Sequence, residues 1–174
     1  YCRFDCLWRN AKFTFANVNY ILRALVPADE RKLQEFFYSH NKETLMMRYN
    51  HHATQMSREK SCNLVSVNQH TDLALCFTQN KYKGEVIQAV GRYYFIESIN
   101  AGEVAFVIKE SLRGRGMAST LLTEMIKIAK IRGLNKLIAC VRRDNASMLK
   151  VFENSGFIRQ YSEGMDEVEL ELPL

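Results

Sequence analysis

The chain has 174 residues, 20.2 kDa, 47% hydrophobic and 25% charged residues, and a net charge of +5 with a pI near 9.0. Those values predict one globular domain with a substantial core, and no apolar run approaches the roughly 20 residues of a membrane-spanning helix. The lysines and arginines are dispersed rather than blocked, so the charge alone gives a nucleic-acid-binding role little support, and an anionic cofactor accounts for part of the excess equally well.

The elements follow in chain order. Residues 1 to 16 alternate aromatic and polar positions around Arg9-Asn10-Ala11-Lys12, the pattern of a short hairpin. Val18 to Val26 reads as a strand. Pro27-Ala28-Asp29-Glu30 starts a helix, with proline and acids where the helix dipole favours them, and Leu33, Phe36 and Phe37 supply its apolar face. A second helix is expected over Glu43 to Tyr49, and a third begins at Ser57-Arg58-Glu59-Lys60 with an imperfect capping box. Two strands, Asp72 to Thr78 and Glu85 to Glu97, flank a turn at Asn80 to Gly84, and Glu103 to Ile108 is a further strand. Gly116 to Arg132 is a helix closed by Gly133, Lys136 to Val141 a strand, and Asn145 to Asn154 a helix. Phe157 to Tyr161 and Glu167 to Leu172 form a last hairpin about Ser162-Glu163-Gly164. There are no internal repeats, low-complexity tracts or linkers. Five cysteines (Cys2, Cys6, Cys62, Cys76 and Cys140) show no metal-ligand spacing, and no metal is expected; an odd, scattered set favours a reducing, cytoplasmic setting. No signal peptide is visible, and a first residue of Tyr1 rather than Met suggests a trimmed or partial chain.

The segment richest in chemistry is Arg113-Gly114-Arg115-Gly116-Met117-Ala118, set between the apolar strand Val104 to Ile108 and an amphipathic helix. Two glycines let backbone approach a ligand and present consecutive N–H groups at a helix N-terminus, an arrangement suited to phosphate or pyrophosphate. It is not a Walker loop, because no Gly-Lys-Ser/Thr follows. It fits the dinucleotide fingerprint poorly, lacking a third glycine or alanine at 119.

This second half resembles the GNAT superfamily of acyl-CoA-dependent N-acyltransferases. Arg113, Gly116 and Ala118 match its Arg/Gln-x-x-Gly-x-Gly/Ala motif in order; Leu137 to Val141, the helix from Asn145 and the closing Gly156-Phe157 match its next motif. The resemblance covers residues 18 to 172. It implies an α+β fold, a mixed, mostly antiparallel central sheet of six to seven strands, splayed beside the phosphate loop and flanked by helices. Ile21 to Asp29, Leu33 to Phe37 and Met47-Arg48-Tyr49 are similar to the catalytic domain of bacterial protein lysine acetyltransferases. In those enzymes a regulatory or acyl-CoA-synthetase-like region often accompanies the domain; neither is present in this chain.

The resemblance implies that acetyl-CoA is held by Arg113, Gly114, Arg115, Gly116, Met117 and Ala118, with Ser119 in the same first helical turn. The backbone of Phe106, Val107 and Ile108 and the Asn145 side chain would meet the pantetheine arm; Asn145 also reads as a plain N-cap. A lysine acceptor, with a pKa of about 10.4, must lose a proton before it attacks. Glu103 matches the family's base, with a raised pKa if desolvated, and Glu97 is the reserve. The tyrosine that many members place seven residues after the asparagine is here Phe152, so a tyrosine acid is excluded at that position. Cys140 could carry an acyl group but reads better as a small buried residue. His40, His51 and His52 are expected at a surface or acceptor cleft, and Tyr93-Tyr94-Phe95 alternates core and substrate-side positions. The implied activity is acetyl transfer to a primary amine, a protein lysine first, by direct attack in a ternary complex. A small amine, an N-terminal amine, or a non-catalytic acyl-CoA-binding module are the alternatives.

Overall fold

Continuous apolar runs in the central strands and alternating apolar and polar residues in the outer ones build one eight-stranded sheet among the described residues, and helices cover both of its faces. The structure is a computed structural model that describes residues 10–49, 56–161 and 166–174. In chain order the elements are β1 (Ala11–Phe15), β2 (Val18–Ala24), α1 (Glu30–Tyr38), α2 (Lys42–Tyr49), α3 (Arg58–Val65), β3 (Leu73–Lys81) and β4 (Gly84–Ile96). Then come β5 (Ala101–Ile108), α4 (Met117–Ile131), β6 (Lys136–Arg142), α5 (Ala146–Asn154), β7 (Ile158–Arg159) and β8 (Glu167–Pro173). The strand order is β1-β2-β3-β4-β5-β6-β8-β7, and only β5 and β6 run parallel. The fold is the mixed, mostly antiparallel one expected, with eight strands rather than six or seven.

The added strand is β1. Its hairpin turns at Ala16-Asn17, so β1 pairs with β2, from Ala11↔Leu22 to Phe15↔Val18. The hairpin expected about Arg9 to Lys12 falls largely on residues 1–9, which lie outside the described residues. Both turn residues have positive φ, 47° at Ala16 and 62° at Asn17, as a two-residue hairpin turn demands. An alanine carries no sequence signal for that conformation, which explains why the turn at Ala16-Asn17 was not expected. Cys2, Cys6, His51, His52 and the turn Ser162-Glu163-Gly164 lie outside the described residues.

The strand pleat assigns the two faces. Leu137, Ala139 and Val141 of β6 and Val168 and Leu170 of β8 point to the side that α4 and α5 cover, joining Tyr93, Phe106, Leu121, Met125 and Phe152 in the larger core. On the opposite face, Leu33 and Phe36 of α1 and Val65 of α3 pack on Ala74, Cys76, Val90 and Val107. That layer stops short of β6 and β8, so the alternate residues there, Cys140 and Glu169, stay exposed beside Glu103.

Two arginines fasten the frame. Arg132, just past α4, donates to Asp72 O (2.8 Å), to the Tyr93 hydroxyl (2.7 Å) and to Gln69 O. Arg23 on β2 bridges Asp29 at 2.7 Å and Glu85 at 2.7 Å, and Lys32 reaches Glu85 at 2.9 Å. The hydrogen bond from Arg23, joined by those from Lys32 and Thr78, holds the Glu85 carboxyl down at about 2 against the burial that opposes it. Burial acts to raise Asp29, but Arg23 and the Val26 N–H outweigh it and the net shift is downward. Both carboxylates therefore stabilise the fold above their unfolded pKa values, and that contribution disappears as pH falls through the folded ones. Urea unfolding at a series of pH values is expected to show stability dropping between pH 4.5 and about 2. Glu85→Gln should be less stable at pH 7 and lose less over that interval.

Candidate functional site

The site is organised by the parting of two strands. β5 and β6 pair for four residues, from Ala101↔Lys136 to Val104↔Ala139. Beyond them each keeps only its outer neighbour: β5 follows β4 to Ile108↔Ala89, and β6 follows β8 to Arg142↔Glu167. The edge of residues 105–108 turned toward β6 thus has no strand opposite it. Extended backbone requires hydrogen-bond partners, so this edge is ready to pair with an extended ligand. Phe152 of α5, 2% exposed, fills the angle behind the split, 5.2 Å from Phe106 and 5.0 Å from Phe157 between ring centroids.

A cleft of about 980 Å³ opens at this split, at the upper end of the range for small-molecule sites. At one side is the loop between β5 and α4. Gly114 (φ 75°) and Gly116 (φ 84°) both occupy the left-handed region, and a Cβ on either would meet nothing within 4 Å. The glycines are needed here for torsion rather than for space. The amide of Thr120 is the one that returns to Gly116 O. The N–H groups of Met117, Ala118 and Ser119 therefore lack intrahelical acceptors at the positive end of the α4 dipole.

Of the residues singled out from sequence, the cleft gathers Glu103, Phe106, Val107, Ile108, Arg113, Gly114, Gly116, Met117, Ala118, Ser119 and Asn145 along its walls. Arg115 is exposed and is not among them. Asn145 caps α5, its side chain accepting from Met148 N at 3.3 Å. Glu103 is exposed, so the desolvation considered for it from sequence is not present. Tyr94 stands opposite it on β4, 42% exposed. Glu97 lies in the short turn after β4 and is not among the lining residues. Among the lining residues that sequence reasoning missed are Glu43 and Thr44 of α2 and Glu167 of β8. Nothing local marks them; they reach the cleft through tertiary contacts, Thr44 by accepting a 2.7 Å hydrogen bond from Arg113.

Two expectations need correction. Cys140 is exposed and lines the cleft rather than being buried, because among the described residues no helix covers its face of β6. Its thiol is pushed up by local desolvation and then by the carboxylates Glu103, Glu169 and Glu167, which all disfavour a thiolate. His40 is not at a surface: its side chain is 2% exposed, 3.4 Å from Glu110 and edge-on to Phe36. Burial lowers its pKa more than Glu110 raises it.

A second cavity, of about 880 Å³, lies beside β2 and includes Arg23, Asp29, Lys32 and Glu85. Its ionic groups are already engaged with one another. Among the described residues, the first cleft combines an open strand edge with unengaged amide donors and the cation Arg113, which suits an elongated molecule with an anionic end.

Comparison with known proteins agrees. The family model described as "Acetyltransferase (GNAT) domain" matches residues 19–158. A putative phosphinothricin acetyltransferase, YwnH of Bacillus subtilis, is 42% identical over 55 residues, a match that spans 32% of this chain and 34% of that relative. Among solved structures, the GNAT domain of S. lividans PAT superposes with a TM-score of 0.85 at 24% identity, covering 95% of this chain and 97% of that one. A phosphinothricin acetyltransferase from Sinorhizobium meliloti in complex with acetyl-CoA gives a TM-score of 0.70 at 16% identity, covering 89% and 88%. The chain belongs to the GNAT acetyltransferase domain family.

The cap at Asn145 can be separated from any contact with a ligand. Asn145→Ala is expected to cost about 1 kcal/mol in urea unfolding, whereas Asn145→Asp, which preserves the accepting oxygen, should stay within a few tenths of a kcal/mol of wild type.

Proposed function

We propose that this domain acetylates the lysine side chain of a protein, with Glu103 as general base. The observation that carries the choice of acceptor is the charge at the open face of the split. Glu103, Glu169 and Glu167 all act electrostatically on Cys140 at its centre. Such a field draws in a cationic amine and repels an acceptor that bears its own negative charge. A small-molecule amine, the class suggested by the phosphinothricin acetyltransferases, is the alternative the same test addresses.

Acetyl-CoA fits the cleft by size and by the donors along it, and supplies the activated acyl group. The amides of Met117, Ala118 and Ser119, with Gly114 and Gly116 shaping the turn and Arg113 and Arg115 adding charge, would hold the pyrophosphate. The open edge at Phe106, Val107 and Ile108 would pair with the pantetheine arm, with Asn145 at its side. Amides of this edge would polarise the thioester carbonyl, preorganised by the β4–β5 ladder. Glu103, on β5 just before the split, would take the proton of the incoming ammonium directly or through water. Phe152 has no proton to give, so the thiolate would leave without an acid from that position. With its thiol held protonated, Cys140 is a poor nucleophile, which supports direct attack over an acyl-enzyme. The reducing setting implied by the scattered cysteines supports a cytoplasmic location.

The decisive experiment is calorimetric titration with acetyl-CoA, followed by thiol release in the presence of lysine-bearing proteins and of small amines. Turnover only with the small amines would replace the protein acceptor. Glu103→Gln is expected to lower kcat/KM by about 10²- to 10⁴-fold while acetyl-CoA binding is retained; unchanged turnover would remove Glu103 from its role. Cys140→Ala should keep its rate within about threefold and show no ping-pong kinetics.

A further inference from the structure

One hydrogen-bonded chain crosses from α2 to the anion loop, and the chemistry above makes no use of it. Arg113 donates from Nη2 to Thr44 Oγ1 at 2.7 Å. The Thr44 hydroxyl, which has one proton and two lone pairs, also helps to hold the Glu110 carboxyl ionised. Glu110 further accepts from the Asn41 amide at 2.8 Å, while Asn41 Oδ1 accepts from the Thr44 amide at 2.8 Å. His40 Nδ1 lies 3.4 Å from the other Glu110 oxygen. Thr44 is 2% exposed and yet reaches the cleft wall.

The consequence lies in what happens to a long, exposed arginine. A free guanidinium must be ordered when an anion binds, and that ordering weakens binding. Arg113 is already held by one of its five donors, leaving others for a ligand. Arg115, two residues on, has no hydrogen bond to a described residue and is exposed. The loop therefore has one arginine placed in advance and one that is not. The anchor is itself firm: burial opposes ionisation of Glu110, but Thr44, Asn41 and His40 overcome it and hold the carboxyl at about 2, so it stays a charged acceptor across the physiological range.

We infer that Thr44 and Glu110 are positioning residues for the cofactor, fixing Arg113 at the pyrophosphate end of the cleft and tying α2 to the occupancy of that end. This rests on the acetyl-CoA site proposed above. By this account the wall contributed by α2 is linked to cofactor binding through a single hydroxyl, and a change on either side is felt on the other.

The test is a double-mutant cycle with acetyl-CoA affinity read by calorimetry. Arg113→Gln should weaken binding more than Arg115→Gln. Thr44→Val, nearly the same shape without the hydroxyl, should weaken binding about 2- to 10-fold, and Thr44→Ser should restore it. In the Arg113→Gln background Thr44→Val should have no further effect. S-acetylpantetheine, which lacks the pyrophosphate, should show the same KM with wild type and Thr44→Val. Equal losses from Thr44→Val with and without Arg113 would overturn the inference, because the hydroxyl would then act through general packing. So would a KM for S-acetylpantetheine raised as much as that for acetyl-CoA. Wild-type protein that does not bind acetyl-CoA would instead bring down the cofactor site itself; binding that is indifferent to Thr44→Val would bring down only the role of Thr44 and Glu110.

Discussion

The separation of β5 from β6 after Val104 and Ala139 is the constraint on which the rest of the site depends. Two parallel strands that stayed paired would consume each other's amides and carbonyls and leave no edge. Each is instead kept straight by its outer partner, β4 on one side and β8 on the other, so the split is held open from both flanks. The ring of Phe152 packed on Phe106 and Phe157 occupies the angle between them. An open edge in the middle of a sheet would be a liability if it were long. Here it is four residues, flanked by a helix N-terminus at one end and a carboxylate at the other.

The same split divides the two jobs of the site between two faces. The face covered by α4 and α5 brings the glycine loop, the first turn of α4 and the cap of α5. The other face, where the α1–α3 layer gives out before β6, exposes Glu103, Cys140 and Glu169. A cofactor with an anionic end and an acceptor with a cationic one would therefore meet oppositely charged surroundings and come together across the edge of one strand. The distribution of charge, rather than the net charge of +5, is what informs about partners.

Much of this was legible in the sequence because the determinants are local. Gly114 and Gly116 mark a left-handed turn, Asn145 marks a cap, and Val104 to Ile108 marks a strand by composition alone. What escaped was set by tertiary context. Ala16 takes a positive φ because the hairpin requires it, against its own preference, and so the turn between β1 and β2 went unannounced. Cys140 alternates correctly with its buried neighbours, but whether a helix would cover its face is decided by the reach of α1 to α3. Thr44 is 69 residues from Arg113, and no periodicity announces that pair. The burial of His40 against Glu110 has the same origin.

The clamp made by Arg132 gives α4 a mechanical character. A helix of 15 residues is about 22 Å long. At its far end the guanidinium grips Gln69 and Asp72, in the segment before β3, and Tyr93 of β4. Its near end carries the amides that face the cleft. Such a helix is a strut with a fixed foot: the pull of a bound anion on its tip is passed along a stiff rod to the sheet instead of being dissipated by sliding. A strut held in this way fixes the spacing between the amides and the open strand edge.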